Sequence, residues 1–153
     1  MPDAAISAAR LDWLTISVLA FVTGIAMGAA TSYGLTQDSI AVELAFWTVW
    51  ACVWVLVVIR VKTPRPFLTL LLIGVLSGLF VGIVSQILWT EYLSNNAETF
   101  TRPTVDAGDD PESGRIRATH LALSPAIGLA WGAIVGGVFL GVRRVRARRA
   151  AAA

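Results

Sequence analysis

Four stretches of this chain run for about twenty residues almost without charge, at 13–31, 40–59, 66–88 and 119–142. Nearly every charged residue lies between or outside them. Each stretch is close to the ~20 residues that cross ~30 Å of hydrocarbon at 1.5 Å per residue. None shows the polar–apolar alternation of a barrel strand, so the backbone is satisfied in lipid by helices. The pattern predicts an all-α integral membrane protein of four transmembrane helices, a single membrane domain over residues 1–153.

Local signals refine the boundaries. Ser39 is placed to cap the second helix, with Glu43 in its first turns. Pro66 suits the first turn of the third. The fourth has two starts open to it. One is a cap at Ser124 followed by Pro125; the other is a start at Thr119 with a kink at Pro125. Residues 94–118 are rich in Asn, Asp, Pro, Gly and Thr and read as an exposed loop. Gly28-x-Ala30 resembles a signal-peptidase site, but the charged segment before it is weak and the apolar run long, which favours a retained helix.

Within the helices the small residues fall into stripes. Gly74, Gly78 and Gly82 recur every fourth residue on one face of the third helix, opposite Leu72, Leu76, Phe80, Ile83 and Ile87. Ala20, Gly24 and Gly28, with Thr31, make a similar face on the first, expected to meet it. The fourth helix carries two stripes, Gly128, Gly132 and Gly136 on one side and Ala133, Gly137 and Gly141 roughly opposite. A helix smooth on both sides suits a place between two neighbours, the second of them in this chain, in another copy or in a partner. On the second helix Phe46, Trp47, Trp50 and Trp54 share one face, with Glu43 at its end, against a small side of Ala41, Ala45, Thr48, Ala51 and Cys52. With the small side packed inward, the Trp stripe is expected to face out, towards lipid or a partner.

Shifting the first helix by 54 positions lays Thr23-Gly24 on Ser77-Gly78 and Gly28 on Gly82. Shifting the second by 84 lays Trp47 on Trp131 and Arg60 on Arg144. The matches are those of two tandem helical hairpins.

Composition agrees with the membrane reading: 56% of the 153 residues are hydrophobic and 14% charged, against about a quarter charged in soluble domains. The net charge of +2 is no nucleic-acid signature, because the basic residues cluster beside apolar runs. Arg60, Lys62 and Arg65 occupy one connection, and Arg143, Arg144, Arg146, Arg148 and Arg149 the tail at 143–153. The 32–39 connection has no basic residue. The positive-inside rule then places both termini in the cytoplasm, with the 94–118 loop outside, in a multi-pass cell-membrane protein.

Candidate chemistry changes little. The chain has one cysteine and one histidine, no Gly-rich phosphate loop and no zinc-protease motif. No ionisable residue lies near the centre of a span. His120, Glu43, Gln86 and Glu91 all fall near one helix end, where interfacial polar residues are ordinary. No catalytic residues, cofactor or metal are expected. The sequence points to a non-catalytic accessory or assembly subunit that contacts the bilayer and a membrane partner or its own copy. The alternative is a small homo-oligomeric channel, holin-like pore or transporter.

Overall fold

The computed structural model describes residues 12–36, 40–96 and 114–152. The described residues are all helical, with no strand among them: α1 (Trp13–Ser32), α2 (Ile40–Arg60), α3 (Pro66–Ile87), α4 (Trp89–Asn95) and α5 (Gly114–Ala152). All but α4 are long and apolar enough to cross a membrane.

Helix ends follow from local chemistry. Asp12 caps α1, its carboxylate accepting from the Thr15 amide (3.1 Å) and the Thr15 hydroxyl. At the other end Gly34 adopts φ +73°, and the Gly34 and Leu35 amides donate to the Thr31 and Ala30 carbonyls. This paired closure leaves a left-handed residue just past the helix. The end of α2 is built identically, with Lys62 at φ +54° and the Lys62 and Thr63 amides donating to the Ile59 and Val58 carbonyls. Pro66 opens α3 at its first turn, where a missing amide hydrogen costs nothing. Leu88 alone separates α3 from α4. The side-chain amides of Asn95 and Asn96 then donate from Nδ2 to the Ser32 and Thr31 carbonyls, tying the end of α4 to the end of α1.

α5 departs from expectation at both ends. It begins at Gly114, earlier than either start read from the sequence, and runs unbroken through Pro125 to Ala152. Ser124 is no helix cap, since its hydroxyl donates back to the His120 carbonyl at 2.8 Å. At ~1.5 Å per residue its 39 residues measure about 58 Å, far more than a bilayer core. Arg and Ala are strong helix formers, so nothing stops the helix where the apolar run ends. The expected 94–118 loop is thus helical at both margins. Residues 97–113, and the Ser39 cap, lie outside the described residues.

α3 is the centre of the packing, with α1 on one side and α5 on the other. α2 stands off from the other backbones and reaches them through large side chains. The core gathers Ile16, Met27, Trp47, Trp54, Val58, Leu70, Ile73 and Val135. The two hairpins read as tandem copies are therefore packed unlike one another. α3 and α5 meet backbone to backbone, while α1 and α2 are bridged by side chains.

Candidate functional site

The small stripes have distinct neighbours. A methyl group at Gly74 would strike the Gly128 carbonyl, and one at Gly78 the Ser124 carbonyl. One at Gly82 would come within 3.2 Å of Ser124 Cβ. From the other helix, Gly128 abuts the Gly74 carbonyl, Gly132 the Leu70 carbonyl and Gly136 the Phe67 ring. The glycine face of α3 therefore meets α5 and not α1. α1 uses its own small face differently: Gly24 receives Phe80 and the Ser77 carbonyl, Gly28 receives Val84, and Ala20 is fully buried. A hole left by glycine accepts a bulky knob as readily as another backbone, and the sequence pattern does not distinguish them. Phe80 is consequently half-buried against α1, and its ring also meets Phe21 edge-on at 5.4 Å. Leu72 and Leu76 also pack on the core, leaving Ile83 and Ile87 as the exposed members of that set. Gly137 and Gly141 have open space above them.

The Trp face of α2 is turned the opposite way from the expectation. Trp47 and Trp54 are buried, and Phe46 and Trp50 pack half-buried against the core. Ala41, Ala45, Thr48 and Cys52 are exposed. Two contacts account for the inversion. The Trp54 indole N–H donates to the Thr23 hydroxyl at 2.9 Å, and Trp47 lies 5.9 Å from Trp131. An apolar surround offers an indole N–H no acceptor, so the ring goes where a hydroxyl waits. Large rings also fill the space that holds α2 away from the other backbones.

A polar and aromatic cluster forms at the Glu43 end of the bundle. Glu43, Trp47, Tyr92 and His120 line a cavity of about 230 Å³ that reaches Met27 and Gly78. His120 packs against Tyr92 (4.7 Å between centroids) and Trp89 (5.9 Å), and its Nδ1 is buried with no hydrogen-bond partner among the described residues. Burial, and then the nearby Glu43 carboxylate, push the Tyr92 phenol up from its ordinary value. Arg117 and Gln86 clasp one another beside the cavity. Arg117 Nε donates to Gln86 Oε1 at 3.0 Å and Nη2 to the Gln86 carbonyl at 3.2 Å, while Gln86 Nε2 donates to the Arg117 carbonyl. The guanidinium sits 5.3 Å from the Trp89 ring centroid. Of the four polar residues read from the sequence as sharing this end, Glu43 and His120 share the cavity and Gln86 flanks it. Glu91, in the first turn of α4, is exposed.

Comparison with protein-family models, curated proteins and solved structures finds no match for this chain.

The members that sequence reading missed are Trp89, Tyr92 and Arg117. A signal for them existed, because Trp and Tyr beside charged residues at the end of an apolar run mark a membrane boundary. The hydroxyls behave variously. Thr48 donates to the Leu44 carbonyl at 2.7 Å, whereas the buried hydroxyls of Ser77 and Ser85 have no partner among the described residues.

Proposed function

We propose that this chain is a non-catalytic, multi-pass subunit of the cell membrane that assembles with a further membrane helix on the outer face of α5. The observation that carries the reading is the contrast among its glycines. Gly24, Gly28, Gly74, Gly78, Gly82, Gly128, Gly132 and Gly136 each press on a neighbouring helix, whereas Gly137 and Gly141 face open space. Glycine lowers helix propensity by about 1 kcal/mol against alanine, a cost the first eight offset by close packing. A helix seated over Gly137 and Gly141, from a partner or from a second copy, supplies the same return. The Trp face of α2 does not serve this purpose, since the fold of the chain itself occupies it. With the basic ends of α2 and α5 in the cytoplasm, both termini lie inside.

The test is purification in mild detergent of the wild type beside Gly137→Leu/Gly141→Leu. A stable complex or dimer for the wild type, with the variant folded but alone, supports the reading. A wild type that runs as a single chain overturns it, and ion or solute flux in proteoliposomes would move the assignment to a pore.

A further inference from the structure

We propose that the groove between α2 and α5 binds one anionic phospholipid, its acyl chains against the apolar walls and its phosphate held by Lys62, Arg143 and Arg146. The groove encloses about 960 Å³, at the upper end of the roughly 300–1,000 Å³ typical of ligand sites. Val55 and Leu56 form one wall and Ile134 and Val138 the other, with Leu56 61% and Val138 64% exposed. On α5 its wall of Ile134 and Val138 adjoins Gly137 and Gly141, so the groove borders the face proposed above for a partner helix, while its basic residues Lys62, Arg143 and Arg146 lie to the other side of that wall.

Three observations select the occupant. The first is charge: Lys62, Arg143 and Arg146 border the groove, and no acidic residue lines it among the described residues. Basic pockets between transmembrane helices are where anionic headgroups bind. The second is length. From position 48 to position 59 the α2 wall rises about 16 Å, half of the ~30 Å hydrocarbon core. That fits a lipid of one leaflet, whereas a partner helix would cross both. The third is Lys62 itself, which holds a left-handed backbone (φ +54°) in the closure where α1 uses Gly34. A lysine there costs more backbone energy than glycine, and its side chain borders the groove.

The full-length chain is equilibrated in nanodiscs of equal phosphatidylglycerol and phosphatidylcholine, re-extracted, and its retained lipid counted by native mass spectrometry. The wild type is expected to keep one phosphatidylglycerol, preferred by at least about tenfold. Arg143→Gln/Arg146→Gln should abolish the preference, while Arg144→Gln/Arg148→Gln, with the same change of charge outside the groove, should leave it. Ala51→Trp fills the groove with every cation in place and should expel the lipid. Lys62→Gly should raise the Tm in lipid-free detergent yet lower phosphatidylglycerol retention, opposite signs that a purely structural lysine would not give. No preference in the wild type, equal loss in Arg144→Gln/Arg148→Gln, or full retention in Ala51→Trp would each overturn the proposal.

Discussion

Trp54 and Thr23 join two helices that otherwise scarcely approach, through an indole N–H that donates to a fully buried hydroxyl at 2.9 Å. Removing the donor with Trp54→Phe, or the acceptor with Thr23→Val, should each lower stability by about 0.5–1.5 kcal/mol. A double-mutant cycle in detergent unfolding isolates the bond, with a coupling energy near zero sinking the idea.

Gly78 lies on the backbone-to-backbone seam of α3 and α5. Gly78→Ala places a methyl on the Ser124 carbonyl and 3.0 Å from Pro125 Cα, backbone atoms that cannot yield. The helices must separate, at about 1–3 kcal/mol. Ile87→Ala, at a side chain 75% exposed, should stay within about 0.5 kcal/mol. Leu76→Ala should exceed Ile87→Ala, because Leu76 packs on the core. Thermal unfolding of the three variants checks the order.

Asp12 gives the start of α1 a pH dependence. The Thr15 hydroxyl, then its amide, hold this carboxyl below its ordinary value of 3.8. A folded pKa below the unfolded one contributes stability that is complete above 3.8 and lost as pH falls through the folded value. Asp12→Ala should therefore lower the Tm at pH 7, and the gap to wild type should close in acid below the ordinary carboxylate range. A gap that is constant with pH would count against the cap.

Arg117 fastens the start of α5 to the end of α3 through Gln86 and Trp89. Arg117→Ala leaves the Gln86 carbonyl without this charged donor and should cost about 1–2 kcal/mol. The loss should be local, read as faster amide exchange in the first turns of α5 with protection around Gly74 unchanged.

Much of this protein was legible as sequence. A helix satisfies its own backbone within an apolar run, so run length alone yields four long helices, three of them with ends near 13–31, 40–59 and 66–88. Caps are equally local, which is why Pro66 opens α3 where it was read to. The far ends of α5 were less legible. Apolarity marks the stretch able to cross a membrane, whereas Arg and Ala continue the helix beyond it.

Only the tertiary structure decided which faces meet. In a water-facing helix a polar face turns out and an apolar face in, but both faces of α2 are apolar and that rule is silent. The Trp face went inward because Thr23 offered an acceptor 31 positions away and because bulky rings fill the gap beside α2. The glycines were legible as holes, but not what fills each: a carbonyl of Gly128 at Gly74, the side chain of Phe80 at Gly24, open space at Gly137. Composition and run length determined that these helices form, because both act within a segment. Pairing rests on contacts between segments distant in the chain, and those exist only once the chain is packed.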